Sequence, residues 1–316
     1  MNSFLDIKNK IIESKKIFIT AHVNPDGDAI GAGLALLSGI EKFNNNCEVR
    51  FVLQDKTPDR VKFLELEKRA EIYNEDENYD MDLAICVDSA ALSRIGDVEK
   101  AIKNTFTINI DHHISNPKYG DINIVKDISS TSEIMYSILK DLDIEITLEM
   151  GEAIYLGLVN DTGNFAHSNV TDKTFLVASE LMRIGVNNNK IVNDFFKTKS
   201  YERMKVLGKA LSEMVFVEEK KLMYFYLSFE ALKNLNAIKD DTEGIVEELI
   251  NYSGSEVSLF LREEESGKIK GSLRSKHNID VNKIAGIFGG GGHIKAAGFT
   301  TELSSEEIIK KVVENL

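Results

Sequence analysis

Three short apolar runs in the first half of this chain each stop on a side chain able to bind a metal ion. The run from Lys16 to Ala21 stops at His22, Leu83 to Val87 at Asp88, and Phe106 to Ile110 at Asp111, His112 and His113. Glu48 to Leu53 is a fourth run of the same kind. Compact runs rich in β-branched or aromatic residues, separated by helical or turn-rich stretches, predict buried strands of a mostly parallel sheet covered by helices. In an open α/β sheet the ligand crevice lies beyond the carboxyl ends of the strands, so parallel pairing gathers the three ligand-bearing ends along one edge.

The fold class expected is therefore α/β, an N-terminal mostly parallel sheet flanked by helices, followed by a smaller α+β domain, with the active-site cleft between them. Ser130 and Glu133 have capping-box spacing ahead of Ile134, and helices are expected from Thr147 to Val159, Asp172 to Ile184 and Tyr201 to Met214. Beyond them Val215 to Val217, Leu222 to Leu227, Val257 to Leu261 and Ile269 to Leu273 read as strands, with helices near Phe229 to Leu235 and Glu243 to Tyr252. Gly185, Asn187, Asn188 and Asn189 mark a turn. The expected division is a metal-binding domain over 1–187, a helical linker over 188–212 and a substrate domain over 213–316, in keeping with 316 residues.

Charge narrows the class of partner. With 51 acidic against 38 basic residues the net charge is −13, a poor balance for gripping long nucleic acid. Small ligands fit better than polymers. No run of about 18 apolar residues exists and the first residues mix charges with apolar positions, so neither a membrane span nor a signal peptide is expected and the location expected is cytoplasmic. Cys47 and Cys86 lie in apolar runs without CxxC spacing and are expected to be buried free thiols.

The turn after the first run, His22-Val-Asn-Pro-Asp26-Gly-Asp28, passes into a helix, and its aspartates suit either helix capping or metal binding. An EF-hand is excluded, because Ile30 and Leu37 stand where oxygen ligands are required. Asp161 ends another apolar helix, where a cap is the simpler reading taken alone. Taken together, Asp26, Asp28, Asp88 and Asp161 in one crevice would carry four negative charges, which resist ionising side by side unless compensated. Two divalent cations would balance them, and imidazole with carboxylate but no thiolate suits manganese, with iron, cobalt or zinc as substitutes. Two ions about 3.5–4 Å apart acidify a water and clamp a phosphoryl oxygen, so phosphoester hydrolysis is the reaction expected. GxxxxGK[ST], GxGxxG and GxSxG are absent.

HVNPDGDAIG (22–31), CVDSA (86–90), DHH (111–113) and DTGNF (161–165) resemble the ordered motifs of the DHH phosphoesterase superfamily. GGGGHIKAAGF (289–299) resembles the signature of its associated substrate-binding domain, and the length is most similar to the bifunctional oligoribonuclease and 3′-phosphoadenosine 5′-phosphate (PAP) phosphatase group. The resemblance implies one metal held by His22, Asp26 and Asp88 and a second by Asp28, Asp88, His112 and Asp161, with Asp88 shared between them. It implies a structural Asp111, and a His113 that either reaches the scissile phosphate and leaving group or supports a ligand. Ala32 stands where many relatives have Ser. Short 5′-phosphorylated oligoribonucleotides and PAP are the substrates implied, with cyclic di-AMP or linear pApA as the alternative; long duplexes and membranes are not expected partners, and a homodimer is.

Residues 251–300 carry seven basic and five acidic side chains, so phosphate is welcome there. Ser272 and Arg274 end a strand in a form suited to a terminal phosphate. Gly289 to Gly292 would let backbone amides, those of Gly290, Gly291 and Gly292 included, converge on an anion beside His293. His167 and His277 read as a loop and a strand-end residue, and Phe195, Phe196, Tyr201 and Met204 as linker core or dimer contact.

Overall fold

The computed structural model describes residues 4–316, which form two compact units that divide between Thr198 and Lys199. The first is built on six strands: β1 (Lys16–Thr20), β2 (Glu48–Leu53), β3 (Ala70–Ile72), β4 (Leu83–Val87), β5 (Phe106–Asp111) and β6 (Ile122–Val125). They lie in the order β3-β2-β1-β4-β5-β6 with every pair parallel. The chain steps outward from β1 to β3, then returns to the other side of β1 as β4. The change of direction therefore falls between β1 and β4, where strand ends diverge and leave a crevice.

Side-chain alternation decides which face each residue serves. Ile17, Ile19, Leu83, Ile85 and Val87 join the large core, whereas Phe18, Ala84 and Cys86 face the opposite way into a smaller cluster. Helices α1 (Phe4–Glu13), α2 (Gly27–Phe43), α4 (Thr131–Asp141), α5 (Leu148–Asp161) and α6 (Asp172–Ile184) contribute to the large core, and the short α3 (Val98–Ile102) contributes to the smaller one. Ser130 caps α4 through Glu133 N, Thr147 caps α5, and Gly185 ends α6 in the left-handed conformation at φ 112°. Where α2 meets α5, a Cβ on Gly31 would lie 2.2 Å from the Ala153 carbonyl oxygen, so hydrogen at that position permits the close packing.

The second unit contains β7 (Val215–Val217), β8 (Leu222–Leu227), β9 (Val257–Glu263), β10 (Ile269–Ser275), β11 (Gly291–His293) and β12 (Ala296–Thr301) in the order β11-β12-β10-β9-β8-β7. Only β8 and β9 pair in parallel. Val257, Leu259 and Leu261 pack with α11 (Val281–Gly286) and α12 (Ser305–Glu314) on one face. Met223, Phe225 and Phe260 pack with α8 (Tyr201–Glu213), α9 (Phe229–Asn234) and α10 (Ile245–Ile250) on the other.

Several expectations need correction. Asn188 and Asn189 do not sit in the turn but open α7 (Asn188–Val192), because Asn187 accepts Lys190 N and caps it. The units divide after Thr198, and α8 buries Val206 and Ala210 in the second core. Cys47 is only half-buried, on the turn before β2, while Cys86 is fully buried in β4. Of Phe195, Phe196, Tyr201 and Met204 only Phe195 is buried, so the linker-core alternative applies to it alone, and the other three are exposed. No helix among the described residues is long and apolar enough to cross a membrane.

Candidate metal centre

The turn after β1 positions the first carboxylates. Asp26 caps α2, its Oδ1 accepting the amides of Asp28 at 2.9 Å and Ala29 at 3.1 Å. Capping and ligand geometry are therefore compatible here: the cap fixes the carboxylate beside His22, whose Nε2 lies 3.9 Å from Asp26 Oδ1. Asp28 does something the sequence did not indicate. It is fully buried, and its two oxygens accept the first amides of α4, Thr131 N at 2.7 Å and Ser132 N at 2.9 Å. The positive end of that helix thus faces a carboxylate.

Asp88 follows β4 with φ 51°, a left-handed conformation that Asp tolerates better than most residues. Its two oxygens face different imidazoles: Oδ2 lies 3.5 Å from His22 Nε2 and Oδ1 lies 3.6 Å from His112 Nε2. Thr131 Oγ1 donates to Asp88 Oδ1 at 3.0 Å. His112 Nε2 lies 2.9 Å from Asp161 Oδ2, and Asn160 Nδ2 donates to Asp161 Oδ1 at 2.7 Å. Each imidazole is oriented from behind, His22 Nδ1 on the Val23 carbonyl at 2.8 Å and His112 Nδ1 on that of Ile128 at 3.3 Å.

Among the described residues three groups of potential ligands result, each with its donor atoms within 4.8 Å of one another: His22, Asp26 and Asp88; Asp28, His112 and Asp161; and Asp88, His112 and His113. All six residues assigned to metal by resemblance come together. In the third group His113 Nδ1 is held by Asp111 Oδ1 at 2.7 Å and stands 3.7 Å from Asp88, so its firm partner is Asp111 and Nε2 is its other nitrogen. Thr131 and Asn160, which fix the carboxylates, were not found from sequence; a polar residue in the first turn of one helix and the last turn of another carries no local mark.

The chemistry of the donors tests whether cations fit. Burial opposes charging His22, but the Asp26 and Asp88 carboxylates beside it bring its pKa up to about 10. Burial likewise opposes charging His112, and the Asp161 hydrogen bond with the charge of Asp28 brings it to about 10. Asp26, despite burial, is drawn down to about 2 by His22 and the two amides. Asp28 is pushed far up by burial and by the charges of Asp161 and Asp88, and Asp161 is pushed up by burial first. Burial raises the Asp111 carboxyl, but hydrogen bonds from His113 and Asn116 outweigh it and hold the group below the usual range. Without cations the cluster retains protons that a divalent ion replaces, and oxygen with imidazole and no sulfur is the donor set for it.

A pH dependence follows. His22 and His112 have folded pKa values above the usual 6.5, so their contribution to metal-free stability is complete below about 6.5 and is lost as pH rises through about 10. The raised pKa values of Asp28 and Asp161 act with the same sign. Cations compete with these protons, so the increase in melting temperature produced by Mn²⁺ is expected to grow as pH rises above 6.5, with proton release on binding by titration calorimetry. An increase independent of pH would contradict this.

In the second unit, cross-strand register places Arg274, Ala296 and His293 on one rung and Ser272, Gly298 and Gly291 on the next. Cross-strand partners share a sheet face, so Ser272, Arg274 and His293 border a shelf of small residues. Arg274 also pairs with Glu247 Oε1 through Nε at 3.1 Å and Nη2 at 2.8 Å. The glycine run does not form an open anion nest. Gly289 N donates to Gly286 O at 3.1 Å, Gly290 N to Ala285 O at 3.0 Å and Gly292 N to Asn282 Oδ1 at 2.8 Å, and Gly291–His293 is an edge strand. The glycines have steric reasons: a Cβ on Gly290 would lie 2.2 Å from Gly298 O, and Gly289 has φ 75°. His167, exposed, has Nδ1 3.1 Å from the Asp161 carbonyl, and His277 is exposed beyond β10.

Comparison with known proteins adds to this geometry. Residues 16–158 match the model of the DHH family, N-terminal domain, and residues 219–316 that of the DHHA1 domain. A bifunctional oligoribonuclease and PAP phosphatase NrnA from Thermus thermophilus is 32% identical over 303 residues, spanning 94% of this chain and 88% of that protein. The protein of the same name from Bacillus subtilis is 28% identical over 89% of this chain and 88% of its own length. The crystal structure of an exopolyphosphatase-related protein from Bacteroides fragilis superposes with a TM-score of 0.93 at 29% identity, covering 99% of this chain and 95% of that one.

Proposed function

The chain belongs to the DHH family and carries a DHHA1 domain, and from that membership we propose that it is a metal-dependent phosphoesterase releasing nucleoside 5′-monophosphates from short oligoribonucleotides and converting PAP to AMP. The observation that carries the reading is Asp88, whose two oxygens face His22 and His112 within a set of four carboxylates. In this reading His22, Asp26 and Asp88 would hold one cation and Asp28, Asp88, His112 and Asp161 the other, with manganese as the ion the donor set suits best. Such a pair supplies a water of lowered pKa and neutralises charge on a phosphoryl oxygen.

The chain's own residues do the rest. Thr131, Asn160 and the α4 amides keep three carboxylates oriented before substrate arrives. His113, with Nδ1 fixed on Asp111, offers Nε2 to the scissile phosphate or to the departing oxygen, where an imidazolium donates a proton. Asp111 favours that protonated form first by its hydrogen bond and then by its charge. In the second unit Ser272, Arg274 and His293 supply hydroxyl, guanidinium and imidazole to a terminal phosphate; Gly291, where a Cβ would meet only Asn282 Oδ1 at 3.5 Å, leaves room for a nucleotide, while Gly290 and Gly292 are small because the chain itself packs against them. A homodimer is part of the proposal.

Incubation of the purified protein with Mn²⁺ and, separately, pApA, a pentaribonucleotide, a long RNA, cyclic di-AMP, PAP and pyrophosphate tests it. Mononucleotide release from the short RNAs and phosphate release from PAP are expected, with the long RNA left largely intact. Release of phosphate from pyrophosphate alone, or no hydrolysis of any substrate, would overturn the reading.

A further inference from the structure

Beneath the Asp111–His113 pair lies a buried set of side chains to which the mechanism above gives no part. Asn116 is 7% exposed, and its Nδ2 faces three acceptors: Asp111 Oδ2 at 2.6 Å, Asn109 Oδ1 at 2.8 Å and the Ser89 carbonyl at 3.1 Å. Its own Oδ1 accepts Lys118 N at 2.7 Å, which fixes the orientation of the amide. Asn109, fully buried in β5, donates through Nδ2 to Tyr119 OH at 3.0 Å and to the same Ser89 carbonyl at 3.3 Å. Ser89 is the residue after Asp88. The network therefore ties the loop that carries the shared carboxylate to the carboxylate that holds His113.

We infer that Asn116 is a positioning residue for the reaction, acting through Asp111 to set the direction of the His113 imidazole; the inference rests on the phosphoesterase reading given above. Three physical points support it. A side-chain amide donates hydrogen bonds but does not ionise in the working pH range, so this chain of groups fixes geometry and does not relay protons. Asp111 is fully buried with one oxygen on His113 and the other on Asn116, so loss of the amide leaves half of a buried carboxylate without a donor. That carboxylate is then free to rotate, and the imidazole bonded to it turns with it.

The role is tested by a double-mutant cycle on Mn²⁺-dependent hydrolysis of pApA, using Asn116→Ala, His113→Ala and the double variant. Asn116→Ala is expected to lower kcat by about 10–100-fold, the usual effect of removing a group that orients an active-site side chain, with KM and bound metal unchanged. In the His113→Ala background the same change is expected to add no further loss. Equal multiplicative losses in both backgrounds, or a change in KM alone, would overturn the inference in favour of a structural role. Should Asn116→Ala not fold, Asn116→Ser, which keeps one donor in a small buried volume, replaces it in the cycle.

Side-chain ¹⁵N spectra of the full-length protein, with Mg²⁺ in place of paramagnetic Mn²⁺, give a readout independent of turnover. The His113 Nδ1 resonance is expected to move in the Asn116 variant while that of His22 stays in place. An unmoved His113 resonance overturns the inference. If the wild-type protein hydrolyses nothing in the substrate panel, the functional reading has failed, and these spectra alone decide whether Asn116 positions His113.

Discussion

Asp88→Asn is expected to abolish turnover and empty both cation positions while leaving the fold intact. Asn is close to isosteric with Asp and shares its tolerance for the left-handed conformation, so φ 51° is retained without new strain. Thr131 Oγ1 still finds an acceptor at Oδ1. What is lost is charge at the one residue whose oxygens face both imidazoles. Because that charge is shared, the loss is felt at both positions, and the fall in kcat should exceed the roughly 10–100-fold seen when a merely supporting group is removed. Metal content after dialysis, circular dichroism and turnover on pApA read the three consequences separately. Retained turnover, or metal loss with unfolding, would contradict the assignment.

Gly157→Ala is expected to destabilise the first unit although Ala is the better helix former by about 1 kcal/mol. Gly157 sits in α5 facing the start of α4 and the Asp28 carboxylate. A Cβ there would lie 1.9 Å from Ser132 Oγ and 2.5 Å from Asp28 Oδ1. The added Cβ would also lie 2.6 Å from Ser132 Cβ, so turning the hydroxyl does not relieve the clash, and Ser132 can move away only by straining the bond from its N–H to Asp28. Overpacking of this kind costs about 1–3 kcal/mol, enough to outweigh the propensity gain. The variant should also bind metal more weakly, since the displaced atoms belong to Asp28. Gly208→Ala in α8 is the control: a Cβ there meets nothing within 4 Å, and a gain of about 0.5–1 kcal/mol is expected. Chemical denaturation of both variants checks the two signs, and equal behaviour would contradict the packing argument.

The legibility of the fold followed the length and periodicity of its elements. The strands that carry His22, Asp88 and Asp111 were evident because central parallel strands are apolar on both faces. Short or small-residue strands were not: β3 is three residues long, β6 is four, and β12, although it lies between β11 and β10, begins Ala-Ala-Gly, which resembles a turn more than a strand. The glycine run misled for a physical reason. A sequence shows that Gly289 to Gly292 can adopt unusual backbone geometry, but not that Gly298 and Phe299 crowd Gly290 or that neighbouring carbonyls already occupy the amides.

The linear sequence determined which residues end the central strands, and with them the charge and chemical type of the ligands, because strand burial and side-chain chemistry are local properties. Only the tertiary structure decided how those ligands are held: Asp28 against the α4 amides, Asp161 beside Asn160, and Asp111 on Asn116. Close packing of α2 and α5 at Gly31 and Gly157 and the left-handed turn at Asp88 accompany these contacts. The Asp28 contact joins residues 103 apart along the chain, and even for the near neighbours Asn160 and Asn116 whether a carboxylate meets an amide or another charge depends on distances of a few ångströms that no local pattern encodes.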